Sequence, residues 1–78
     1  MPLSSELVDE IRILAQYRLD SDHVGLKVHH DAEPALINAT QRLFEKGLIS
    51  QADGGYLTDL GRDAAEHAQD LLFILRSK

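Results

Sequence analysis

The sequence has no cysteine and no tryptophan, and only two phenylalanines and two tyrosines. Without cysteine there can be no disulfide framework, no thiolate zinc site and no redox pair. Cations are also scarce: 8 Lys and Arg stand against 13 Asp and Glu, for a net charge of -5. A molecule with this balance repels a polyanion at long range, which counts against nucleic acid as a partner. No apolar run approaches the ~18 residues of a membrane span. The opening MPLSSELVDE has neither the basic start nor the apolar stretch of a signal peptide. A soluble, cytoplasmic protein is expected. At 78 residues there is room for one domain and one core. A chain this short buries only ~60% of its unfolded surface, so cover from a second copy or a partner has real value.

What is present is helical patterning interrupted by one turn-rich stretch. Ser4 or Ser5 is placed to cap a helix over 5–18, with Glu6, Asp9 and Glu10 toward its positive end. On a helical wheel Leu7, Val8, Ile11, Leu14 and Ala15 share one arc, the expected core face, while Ile13 and Tyr17 form a small second stripe. Asp20 or Ser21 begins a segment that reads best as a short helix over 22–29. The alternation of Leu26 and Val28 with Lys27 and His29 also suits a strand. Pro34 fits the first turn of a helix over 34–46, after Asp31 to Glu33 as caps and negative charge. That helix has Leu36, Ile37, Ala39, Thr40, Leu43 and Phe44 inward, Asn38, Gln41, Arg42 and Glu45 outward, and Gly47 as its end. Asp53-Gly54-Gly55 supplies a hairpin turn within 48–58, and Thr58 caps a last helix over 59–76. Its LLFIL ending is apolar nearly all round, more than one neighbour can cover.

The run Leu43-Phe44-Glu45-Lys46-Gly47-Leu48-Ile49, followed by Tyr56-Leu57-Thr58-Asp59-Leu60-Gly61, resembles the stretch from recognition helix through wing in winged helix-turn-helix proteins. The resemblance is to small bacterial regulators of the MarR and PadR kinds and covers roughly residues 36 to 65. The GLKVH, RLFEKGLI and GGYLT layout is also similar to that of a group of short bacterial proteins for which DNA binding is inferred. The implied fold is mainly α with a small β-hairpin, the hairpin being the wing, in a single winged helix-turn-helix domain over residues 1–78. The implied function is duplex DNA binding by a small transcriptional regulator.

In that arrangement Asn38, Gln41 and Arg42 would reach base edges, amides suiting adenine and a guanidinium suiting guanine. Lys27, His30 and Lys46 would meet phosphates. The alternative is a winged-helix module for protein contact, with an acidic surface that does not bind DNA. Its support is the wing tip, Gln51-Ala52-Asp53-Gly54-Gly55, which offers one carboxylate and no cation. Ile13, Tyr17, Leu72, Phe73 and Ile74 are expected at a homodimer interface, as such regulators pair through their terminal helices. His29-His30-Asp31 lacks the spacing that brings two imidazoles onto one metal, so neither a metal nor another cofactor is expected. No nucleophile with a base and no phosphate loop stands out, and no enzymatic activity is expected.

Overall fold

The computed structural model of the protein describes residues 3–20 and 25–77. Among these the order is α1 (Ser5–Leu14), β1 (Leu26–Lys27), α2 (Pro34–Glu45), β2 (Ile49–Gln51), β3 (Gly54–Leu57) and α3 (Asp59–Arg76). The strands form one antiparallel sheet in the order β1-β3-β2. The result is a mainly helical chain with a small three-stranded antiparallel sheet.

Two expected helices change. α1 starts where expected, with the Ser4 hydroxyl accepting from the Leu7 amide at 3.1 Å, but it stops at Leu14 instead of residue 18. Beyond Leu14 the backbone tightens, with Gln16 and Tyr17 amides donating to the Ile13 and Leu14 carbonyls. Carbonyls at this end also accept from far along the chain: Gln69 Nε2 donates to Leu14 O at 3.1 Å and to Tyr17 O at 2.7 Å. A side chain of α3 thus finishes α1, supplying partners that helix ends require.

The helix expected over 22–29 is the second correction. Residues 21–24 lie outside the described residues, and Leu26–Lys27 is a strand. Leu26 pairs with Gly55 and Lys27 with Gly54. β3 would otherwise leave an edge of unpaired amides and carbonyls, and its two glycines carry no side chains to hold a neighbouring strand away. No helix immediately precedes α2 among the described residues, so a two-helix motif is not formed there.

The remaining elements fall close to their expected bounds. Pro34 opens α2, although Glu33 precedes it without the side-chain cap expected there. At its end Gly47 takes φ of +82°, and the Leu48 amide reaches back to the Leu43 carbonyl at 3.0 Å. This close pairs an orphan carbonyl and needs a left-handed residue. The hairpin is irregular: Ile49 faces Leu57 and Gln51 faces Gly54, leaving a bulge between. Ser50 fills it by accepting from the Tyr56 amide at 2.8 Å.

Thr58 joins the hairpin to α3. Its hydroxyl accepts from the Gly61 amide at 3.0 Å, capping α3, and donates to the Gly47 carbonyl at 2.7 Å. Gly61 presses against the backbone of Leu48, just before β2, where an added Cβ would lie 1.8 Å from the Leu48 carbonyl oxygen. The core beneath holds Ile13, Leu14, Tyr17, Ala39, Leu43, Ile49 and Ala65. Ile13 and Tyr17, expected at a partner surface, are therefore core residues, 1% and 4% exposed.

Candidate functional site

Two surfaces are candidates, and they differ in how far their chemistry is already satisfied. The first joins α2 to the hairpin. A shallow groove there is lined by Lys27, His29, His30, Thr40, Gln41 and Asp53 among others. Asn38 and Gln41 project from α2 into solvent, as expected, and His30 lies exposed in the turn before it.

The cations expected beside them are held within the chain. Arg42 is half-buried and turns toward α1: its Nε donates to Glu10 Oε2 at 2.8 Å and its Nη2 to the Glu6 carbonyl at 3.2 Å. Lys46 Nζ donates to the other Glu10 oxygen. Both follow from the helical wheel, because positions 42 and 46 are one turn apart on the flank of α2 that faces α1. Arg42 is thus corrected from base-reading face to interhelical clamp. Lys27 Nζ sits 3.9 Å from Asp53 Oδ2 at the hairpin turn. The outward strip of α2 is left with Asn38, Gln41 and Glu45, and Gln41 Nε2 approaches Glu45 Oε2 at 3.5 Å. That strip has one carboxylate and no cation.

Glu10 is the residue that sequence reasoning missed. It is only 5% exposed. Burial by itself would raise its carboxyl, but the hydrogen bonds and charges of Lys46 and Arg42 outweigh this and hold it below the ordinary carboxylate value. Arg42 in turn is raised above its ordinary value, chiefly by the hydrogen bond to Glu10. The signal was present: Glu10, Ile13 and Tyr17 recur at three- and four-residue spacing, so the carboxylate belonged to the smaller apolar stripe. Tyr17 also reflects this enclosure, its phenol pushed up to about 12 by burial and then by the charge of Asp53.

The second surface is apolar. α1 and α3 pack with a groove between them, lined by Val8, Ile11, Ala15, Leu71, Leu72 and Leu75 among others. Val8, Ile11 and Ala15 were expected in the core. They are displaced to this flank because Ile13, Leu14 and Tyr17 take the inner face of α1. Of the groove's lining Leu3, Leu71 and Leu75 are more than half exposed, as are Leu60 and Ile74 elsewhere on α3. Of the residues expected at a dimer interface, Leu72 is half-buried against α1, while Ile74 and Phe73 are 65% and 73% exposed. No helix among the described residues is long and apolar enough to cross a membrane.

Residues 1–76 match a family model described as a family of unknown function, DUF5669, and the chain belongs to that family. No curated protein and no solved structure matches it.

Proposed function

We propose that this member of DUF5669 is a protein-docking module on a winged-helix-like scaffold, with the apolar α1–α3 face as its working surface. The scaffold reading rests on the strand order β1-β3-β2 and on a hairpin leading through Thr58 directly into α3. The observation that carries the docking role is the contrast in satisfaction between the two faces. Arg42 and Lys46 are both engaged by Glu10, whereas Leu71, Ile74 and Leu75 are exposed on one helix. Contiguous apolar surface of this kind marks interaction sites on soluble proteins. Polyanion binding draws its affinity from cations free to displace counterions.

Duplex DNA is the second reading, favoured by one observation: Asn38 and Gln41 are exposed beside the hairpin, where amides can address adenine. Under it Lys27, His30 and Lys46 would contact phosphates, and Lys46 would first have to leave Glu10. A titration with a random duplex of ~20 base pairs at ~50 mM salt separates the two, followed by amide chemical shifts. The docking role predicts no saturable shifts. Saturating shifts centred on Asn38 and Gln41 at micromolar duplex would overturn it in favour of DNA.

A further inference from the structure

The inner and outer sides of α3 carry different apolar stripes. Gly61, Ala65, Ala68 and Leu72 face the domain and are buried or half-buried. Leu60, His67, Leu71 and Ile74 lie on the outer side at spacings of seven, four and three, with the half-buried Ala64 packed against the core between the two stripes. This is the 3.5-residue repeat with which one helix meets another along a seam. It runs through most of the 18-residue helix, with Leu60, Leu71 and Ile74 at 58%, 55% and 65% exposure. A surface helix that needed only one neighbour would carry a single stripe and a polar back.

We infer that the occupant of this seam is the same seam on a second copy of the chain, making a two-fold dimer through α3, with α1 at its margin. This rests on the docking role proposed above and names its partner. Three observations select a second copy. First, a heptad-spaced stripe is complementary to itself, as a two-fold interface requires. Second, the exposed fractions of Leu3, Val8, Leu60, Leu71, Ile74 and Leu75 amount to on the order of 400 Å², at ~120 Å² for a whole aliphatic side chain. That approaches the apolar share of one side of a standard interface of ~800 Å² per partner. Third, Leu75 and Leu71 lead from the seam into the α1–α3 groove, so closing the seam also covers Leu3 and Val8. His67 supplies the single polar position of the stripe, a device that fixes register in paired helices. Phe73 lies on the opposite flank, near Leu19 and Asp70, and is outside the seam.

Asp63 and Asp70 border the stripe, and each copy carries a net charge of -5. Bringing two copies together therefore works against charge repulsion, which salt screens. The dimer tightens with salt, the reverse of polyanion binding.

Sedimentation equilibrium on the full chain, from ~5 to ~500 µM and at ~50 and ~500 mM salt, tests this. Wild type is expected to be dimeric at the upper concentrations and to associate severalfold more tightly at high salt. Leu71→Glu and Ile74→Glu should each weaken association at least a hundredfold while retaining wild-type circular dichroism, and Phe73→Asp should change it less than threefold. A dimer indifferent to both glutamate variants would overturn the seam. Wild type monomeric throughout would overturn self-association, and binding of the dye 1-anilinonaphthalene-8-sulfonate then decides what survives. Dye fluorescence lost in Leu71→Glu leaves the face as a docking surface for another protein; no dye binding by wild type removes the docking role as well.

Discussion

The two faces of this protein present opposite kinds of surface. On the α2 side, two cations that could serve a ligand have found a partner in the chain: Arg42 and Lys46 close on Glu10, while the exposed Lys27 lies 3.9 Å from Asp53. On the α1–α3 side, apolar groups that a small core would use are left outside it. The difference teaches that the residue type facing solvent is a weaker guide to function than whether its interactions are already met. A guanidinium held by a buried carboxylate must break that pair before it meets a phosphate, whereas an exposed leucine breaks no existing interaction on docking and gives up only side-chain rotamer freedom.

The largest effect is expected from the joint on which both faces depend. Gly61→Val places a Cβ where the Leu48 carbonyl oxygen lies 1.8 Å away, so the start of α3 cannot seat against the backbone that leads into β2. Urea denaturation should show a loss of ~3 kcal/mol or more. Stability within ~1 kcal/mol of wild type would mean that α3 docks in another way.

Glu10→Gln breaks the comparison from the polar side. Charged hydrogen bonds to a buried group are lost, and a cost of roughly 1–3 kcal/mol is expected. Arg42 and Lys46 become available, so filter binding should show low-salt affinity for random duplex at least tenfold above wild type. Unchanged affinity would show that Glu10 does not restrain those cations.

Acidification should reproduce part of this effect. The folded Glu10 carboxyl is held below its ordinary value, so its contribution is fully present above the unfolded value of ~4.3 and is lost as pH falls through the lower folded value. Chemical denaturation between pH 6 and pH 3 should show wild type losing more stability than Glu10→Gln over the acidic part of this range. Parallel profiles would contradict the clamp.

The smallest effect sharpens the contrast. Asn38→Ala and Gln41→Ala remove exposed side chains without buried contacts, and changes within ~0.5 kcal/mol in stability are expected. Neither should alter self-association by more than twofold in sedimentation.

The elements legible in the sequence are those announced by local chemistry. Pro34 starts α2, Gly47 ends it, Asp53-Gly54-Gly55 turns the hairpin and Thr58 caps α3, each within a few residues of its effect. β1 was not legible as a strand with the same certainty because it exists by pairing with Gly54 and Gly55, far along the chain. α1 offers two apolar arcs, and counting residues selects the larger one, Leu7, Val8, Ile11, Leu14 and Ala15. The smaller arc wins because Glu10 beside it is neutralised by Arg42 and Lys46, the latter 36 positions away. Gln69 was silent for the same reason, since its partners are carbonyls at the end of α1. The exposed LLFIL ending was visible from composition, but which of its residues share a flank required the packing of α1.

The most direct test of the α1–α3 face as the working surface is an NMR dilution series of the unmodified chain, from ~1 mM to ~10 µM, with amides and methyl groups assigned. Shifts that move with concentration are predicted at Val8, Ile11, Leu60, Leu71, Ile74 and Leu75, with Asn38 and Gln41 unmoved. Concentration-dependent shifts confined to α2 and the hairpin would contradict the account.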